Sequence, residues 1–164
     1  MGKTLFVGID IGSDTNVVRI LDDTGEDVCG FSVSNDLPGA ERLVERIVAE
    51  AELLNADKVK IGMEATNLYW WHLSQALHEA PELSAFAAEI TVINPKVIDG
   101  FKRIYPDMAK TDALDARVIA DCLRFGRVRP TPPPDMTYAL LQRLTRFRYM
   151  FMRVKRGWGG TVSG

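Results

Sequence analysis

Phe6-Val7-Gly8-Ile9-Asp10-Ile11-Gly12 sets one carboxylate inside an apolar run near the start of the chain. Residues 4–10 are rich in Leu, Phe, Val and Ile, with few polar breaks, and this composition predicts a buried β-strand. An unpaired carboxylate is costly in so apolar a setting. We therefore expect Asp10 to have a charged partner near the end of this first strand.

The patterns that follow predict a mixed sheet covered by helices. Apolar or alternating runs predict further strands over 16–21, 26–33, 58–63 and 89–93. Helical spacing and capping residues predict helices over about 35–54, 67–81, 97–104 and 111–126. Three strands in a meander, then two strands alternating with helices, is the order of the RNase H-like fold. We therefore expect an α/β protein with a five-stranded mixed sheet and flanking helices.

Three further acids fall where such a fold would carry a site. Glu64 ends the fourth predicted strand, whereas Asp112 and Asp115 stand three residues apart at the start of a helix and so share one helix face. Crowded carboxylates repel each other unless a cation lies between them, and Mg²⁺ (or Mn²⁺) prefers such oxygen ligands. A single DxxD pair is most often a solvated helix face, so the predicted metal site depends on the conjunction of these three acids with Asp10.

Composition bounds the class of protein. The chain has 164 residues, ordinary apolar content and a net charge of -2. It contains neither an apolar run long enough for a membrane span nor a signal-peptide pattern, so we expect a cytoplasmic protein without a membrane partner. Cys29 and Cys122 have no metal-ligand spacing, and buried free thiols are expected.

The C-terminal part of the chain is basic. From Arg124 onward there are nine Lys or Arg residues and one acid, Asp135, which leaves the rest of the chain at about -10. This asymmetry fits an arm that binds a polyanion, and equally a solvated basic helix face. The candidate nucleic-acid-binding residues are Lys110, Arg143, Arg146, Arg148, Arg153, Lys155 and Arg156.

The predicted organisation has four parts. Residues 1–126 form the metal-binding domain, 127–135 a Pro-rich linker, 136–156 a basic amphipathic helix and 157–164 a ragged tail. Apolar residues of the helix alternate four and three apart, a coiled-coil spacing that predicts self-association into a homo-oligomer. These residues are Leu140, Leu144, Phe147, Phe151 and Val154.

Four motifs give the chain a resemblance to a known family. They are Gly8-Ile9-Asp10-Ile11-Gly12, Gly62-Met63-Glu64-Ala65-Thr66, Ile93-Asn94-Pro95 and Lys110-Thr111-Asp112-Ala113-Leu114-Asp115-Ala116. In order and spacing they resemble the DEDD transposases of the insertion sequence 110 family, whose relatives include the Piv-type DNA invertases. The likeness covers about residues 4–150, and the KTDxxDA block is its most specific part.

The resemblance implies more than the residues alone. It implies a RuvC-like domain with a catalytic, Mg²⁺-binding tetrad of Asp10, Glu64, Asp112 and Asp115. It also implies a transposase that cleaves and transfers DNA strands, guided in the full-length protein by a structured bridge RNA. Family members add a C-terminal domain with a nucleophilic serine, to which nothing in this chain can be matched. We therefore expect this chain to be an N-terminal domain, and whether it is active without the C-terminal domain is an open question.

Three alternatives remain open. A Holliday-junction resolvase of the RuvC kind would use the same four acids. An ATP-binding domain of the actin or sugar-kinase type shares the topology and a phosphate loop like residues 8–15, but needs a second such domain and an adenine-binding segment, and neither is found. A non-catalytic module that binds nucleic acid and dimerises through 136–156 would bind without metal.

Overall fold

The computed structural model describes residues 2–65, 69–105, 111–126 and 128–133, together with 135, 137, 140–141, 144–145, 147–149 and 151–152. Two compact units divide the chain, residues 1–133 and residues 134–164. The sheet and the helices named below all belong to the first unit.

The first unit is built on one five-stranded mixed sheet. Its strands are β1 (Thr4–Ile11), β2 (Thr15–Leu21), β3 (Asp27–Ser34), β4 (Lys58–Glu64) and β5 (Glu89–Ile93). They lie in the order β3-β2-β1-β4-β5. The first three form an antiparallel meander, whereas β4 and β5 run parallel to β1. This confirms the predicted RNase H-like architecture of sheet and flanking helices.

Helices connect the parallel strands and cover the sheet. They are α1 (Leu37–Leu53), α2 (Tyr69–Glu79), α3 (Pro95–Lys102) and α4 (Asp112–Arg124). Asp36, Asn94 and Thr111 cap α1, α3 and α4, each accepting a hydrogen bond from a backbone N–H of the first turn. The caps explain why the predicted boundaries agree with the observed ones to within a few residues.

One element was not predicted. The chain was expected to leave helical structure at Pro81, but residues Pro81–Phe86 form a 3₁₀ helix directly after α2. Proline is compatible with the first position of a helix, because the N–H that it lacks would be unsatisfied there in any case. Pro81 therefore ends one helix and begins the next, and Leu83 packs into the core from it.

The two faces of the sheet have separate cores, set by the alternation of side chains along β1. Leu5, Val7 and Ile9 point into a core with α1 and α2. Phe6 points to the other face, into a second core formed with α3 and α4. Gly8 and Asp10 follow Phe6 in the same two-residue period, so Asp10 lies on the α3–α4 face.

Helix α4 lies unusually close to the sheet at two glycines. A Cβ atom at Gly8 would come within 2.0 Å of the backbone oxygen of Ala116 and 2.5 Å of the nitrogen of Ala120. A Cβ atom at Gly62, the partner of Gly8 on β4, would come within 2.8 Å of Leu123. The absence of a side chain lets the backbone of α4 approach the strand directly at Gly8, and lets the side chain of Leu123 pack against the strand at Gly62.

Part of the Pro-rich segment belongs to the first unit by its contacts. Thr131 donates a backbone hydrogen bond to Ile90 of β5 (2.8 Å) and its hydroxyl accepts one from the backbone N–H of Val92 (2.9 Å). His78 contacts the carbonyl oxygen of Thr131 at 3.0 Å. The described residues of the second unit from 137 to 152 have helical backbone, and Leu140, Leu144, Phe147 and Phe151 are exposed there.

Both cysteines are free thiols, as predicted, but Cys122 is buried whereas Cys29 is only partly buried. Burial raises the pKa of both. Within the described residues, the structure contains no helix that is both long and apolar enough to cross a bilayer.

Candidate metal centre

The candidate site lies at the carboxyl ends of β1 and β4, on the face covered by α4. Asp10 is the residue before the last of β1, and Glu64 is the last residue of β4. Each follows by two residues a glycine that contacts α4, so alternation directs both carboxylates to the α4 face. Because β1 and β4 are parallel neighbours, their carboxyl ends meet at the same edge.

The other two acids enter from the first turn of α4. Thr111 caps this helix by accepting a hydrogen bond from the N–H of Leu114 (3.2 Å). Asp112 is exposed and Asp115 is partly buried, one turn before the residues that touch Gly8. Acids in the first turn also favour the helix itself through its dipole, so part of their role is structural.

Three of the acids lie close enough to the fourth, Asp10, to act on it. We call Asp10, Glu64, Asp112 and Asp115 the carboxylate cluster. The pKa of Asp10 is raised from 3.8 to about 6, first by burial and then by the negative charges of Asp115, Asp112 and Glu64. A carboxylate in this position is held in its charged form at a cost that a cation would relieve.

One cation already reaches the cluster, and sequence analysis did not identify it. Lys102, the last residue of α3, lies with its Nζ 3.1 Å from Asp115 Oδ1. Its charge lowers the pKa of Asp10, against the three acids that raise it. A lysine in the last turn of a short surface helix looks like an ordinary solvated charge in sequence, so the signal appears only when α3 is placed beside α4.

The cluster fits a divalent metal in ligand type and in charge. Carboxylate oxygens are the ligands that Mg²⁺ and Mn²⁺ take, and the pKa of Asp10 is raised by burial and then by the negative charge of its three neighbours. However, among the described residues, no three His, Cys, Asp or Glu side chains converge tightly enough to enclose an ion. The other three acids lie near Asp10, but the four do not form a closed ligand shell.

A second polar network joins Tyr105, just after α3, to α4, and it too was missed from sequence. Tyr105, just after α3, donates its hydroxyl hydrogen bond to the buried Asp121 of α4. Arg124 Nε contacts the other carboxylate oxygen of Asp121 at 2.8 Å. Burial, followed by the bond to Asp121, raises the pKa of Tyr105 to about 12. The network ties the end of α3 to the same helix that carries Asp112 and Asp115.

Six of the seven predicted nucleic-acid-binding residues lie outside the described residues. They are Lys110, Arg143, Arg146, Arg153, Lys155 and Arg156. Arg148 is described, and it is exposed on helical backbone in the second unit. Their role stays a prediction from sequence.

Comparison with known proteins gives one family and one fold. The profile of the DEDD transposases of insertion sequence 110, described as "Transposase", matches residues 7–155. The structure of Thermus thermophilus RuvC is similar with a TM-score of 0.53 and 12% identity, over 77% of this chain and 99% of that chain. T. thermophilus RuvC in complex with a Holliday junction substrate gives 0.53 and 12%, over 80% and 100%. No curated protein sequence matched.

Proposed function

The chain belongs to the DEDD transposase family of insertion sequence 110, and from this we propose that its first unit is the metal-dependent, DNA-strand-cleaving domain of a transposase. The family and the RuvC-like fold support a nucleic-acid-cleaving, recombinase-type enzyme. The observation that carries the finer proposal is the raised pKa of Asp10, because the three acids that raise it are the other members of the carboxylate cluster.

Each part of the cluster has a distinct task in this proposal. Asp10 projects from the inner strand of the sheet, where its backbone is held by neighbours on both sides. Glu64 and the α4 pair would add their carboxylates from two other elements. A bound Mg²⁺ or Mn²⁺ would activate the attacking oxygen and stabilise the leaving oxygen of a phosphodiester. The chain's own contribution would be carboxylate oxygens supplied from two neighbouring strands and one helix.

The partners of this domain follow from the family and the basic C-terminal segment. We propose that DNA is the substrate, and that a structured guide RNA directs the full-length protein to it. Phosphate contacts would come from the basic residues of 136–156, whose apolar stripe would join copies into a homo-oligomer. In this proposal residues 1–126 are the catalytic domain, 127–135 the linker, and the protein acts in the cytoplasm.

The first test is the thermal response to metal. Ligands that bind the folded state raise its melting temperature by mass action. We expect Mn²⁺ and Mg²⁺ to raise the melting temperature of the wild type, and Asp10→Asn and Asp115→Asn each to abolish the rise. Asp57→Asn, at the far end of the sheet, is the control that should keep it. A rise in both cluster variants equal to that of the wild type would refute the site, and so would the absence of a rise from the wild type and from every variant tested.

The same protein separates the rival functions. Addition of ATP with Mg²⁺ should raise the melting temperature no further than Mg²⁺ alone, and a larger rise would favour the ATP-binding alternative. The likeness to a RuvC bound to a Holliday junction makes junction resolution the second candidate. Symmetric nicking of a synthetic four-way junction, without any strand joining, would favour it over transposition.

A further inference from the structure

The carboxylate cluster has a lysine held against it by the fold. Helix α3 is anchored to the sheet by Ile98, which is fully buried, and by Phe101, which packs against Tyr105 and Phe125 at ring-centroid distances of 6.2 and 5.3 Å. Lys102 follows Phe101 directly. The packing of α3 therefore places the backbone of Lys102 beside α4, and its side chain reaches Asp115 from there.

The contact of Lys102 differs from an ordinary surface ion pair. Its Nζ lies 3.1 Å from Asp115, and the two side chains are 30% and 16% exposed. Asp115 is also the strongest of the three acids that raise the pKa of Asp10, whose pKa the charge of Lys102 lowers. The ammonium group of Lys102 thus acts electrostatically on two of the four acids in the carboxylate cluster.

We propose that Lys102 is the built-in counter-cation of the carboxylate cluster in the metal-free protein, and that a divalent ion must displace it in order to bind. This inference rests on the proposed metal site and names the device that regulates its filling. The ammonium group and the metal compete for the same oxygens and repel each other at close range. Lys102 therefore holds the acids together before metal arrives, and lowers the apparent affinity for metal.

The test compares Mn²⁺ binding by the wild type, Lys102→Met and Lys102→Arg, measured by calorimetric titration and by the rise in melting temperature. Lys102→Met retains the apolar stem and removes the charge. We expect it to melt at a lower temperature without metal and to bind Mn²⁺ on the order of tenfold more tightly than the wild type. Lys102→Arg keeps the charge and should stay within about twofold of the wild type.

Lys58→Met is the matched control. Lys58 also forms an ion pair, with Glu89 at 2.5 Å, and its side chain is 36% exposed, but it begins the strand that Glu64 ends. It should leave the Mn²⁺ affinity unchanged. If Lys102→Met does not fold without metal, Lys102→Gln, which can still donate a hydrogen bond to Asp115, replaces it with the same expectation.

The outcomes separate this inference from the proposed function. Mn²⁺ binding by the wild type, with unchanged or weaker binding by Lys102→Met (or Lys102→Gln in its place), would overturn the inference and leave the metal site standing. Absence of Mn²⁺ binding from the wild type and from every variant would overturn both. If Lys102→Met binds Mn²⁺ and the wild type does not, the result would support the inference that Lys102 must be displaced before the metal binds.

Discussion

The two ends of the parallel strands differ in the balance of positive and negative side chains that they carry. At the amino end, Lys58 and Lys60 both face Glu89, at 2.5 and 3.8 Å, so positive charge meets negative charge. At the carboxyl end, the other three acids of the carboxylate cluster lie near Asp10, and Lys102 contacts one of them, Asp115. Balanced charges at a strand end can serve the fold, whereas an excess of acids over cations is typical of a site for a positively charged ligand.

The same contrast appears in the packing above each end. The cluster lies under the first turn of α4, and α4 reaches the sheet because Gly8 and Gly62 carry no side chain. At the amino end, the charged side chains of Lys58, Lys60 and Glu89 belong to the strands themselves. The site therefore depends on a close helix–strand contact that the ion pairs at the other end do not need. Three predictions test this comparison.

The largest effect is expected from Gly8→Ala. The new methyl group would lie 2.0 Å from the carbonyl oxygen of Ala116, which is backbone and cannot move alone, so α4 must shift away from β1. We expect a loss of about 3 kcal/mol or more in the free energy of unfolding, measured by urea denaturation, and loss of the Mn²⁺ response. Gly100→Ala, where nothing lies within 4 Å, is the control and should change stability by less than about 1 kcal/mol.

A smaller and pH-dependent effect is expected from Asp10→Asn. The folded-state pKa of Asp10 is about 6 against an ordinary value of 3.8, so folding favours the protonated acid. This contribution to stability is fully present below about pH 4 and is lost as the pH rises through 6. Asn does not ionise, so the metal-free variant should gain about 1–2 kcal/mol at pH 7, allowing for solvent screening of a partly exposed group.

Urea denaturation between pH 4 and pH 7.5 measures this difference. The advantage of Asp10→Asn over the wild type should vanish near pH 4 and level off above pH 6.5. Asp22 provides the opposite sign, because hydrogen bonds, first from the Thr24 hydroxyl, hold its pKa below the usual value. Asp22→Asn should therefore lose stability at pH 7 and approach the wild type as the pH falls. A pH-independent difference for Asp10→Asn would contradict the burial and repulsion described above.

The smallest effect is expected from Lys58→Met at the amino end. Ion pairs with this exposure contribute about 0–1 kcal/mol and are screened by salt. Thermal melting at low and high salt should show a difference from the wild type that shrinks as salt is added. A loss as large as that of Gly8→Ala would mean that the paired end is as important to the fold as the cluster end.

Much of this architecture could be predicted from the sequence because its signals are local. Strand and helix boundaries follow from apolar periodicity and from caps such as Asp36, Asn94 and Thr111. The four acids stood out because each follows a strand or opens a helix, and the structure brings their charges to bear on Asp10. Their role as metal ligands is still a prediction.

What the sequence alone determined was therefore the strands and α-helices, their order and the acids at their ends, but not the 3₁₀ helix Pro81–Phe86. The tertiary structure decided which groups meet across elements: Lys102 with Asp115, and Tyr105 with Asp121. Each of these pairs joins a residue in or just after α3 to one in α4, and no periodic pattern relates the two positions. They meet because the backbone of α4 comes into contact with Gly8 and α3 is anchored beside it, and that packing depends on the whole sheet.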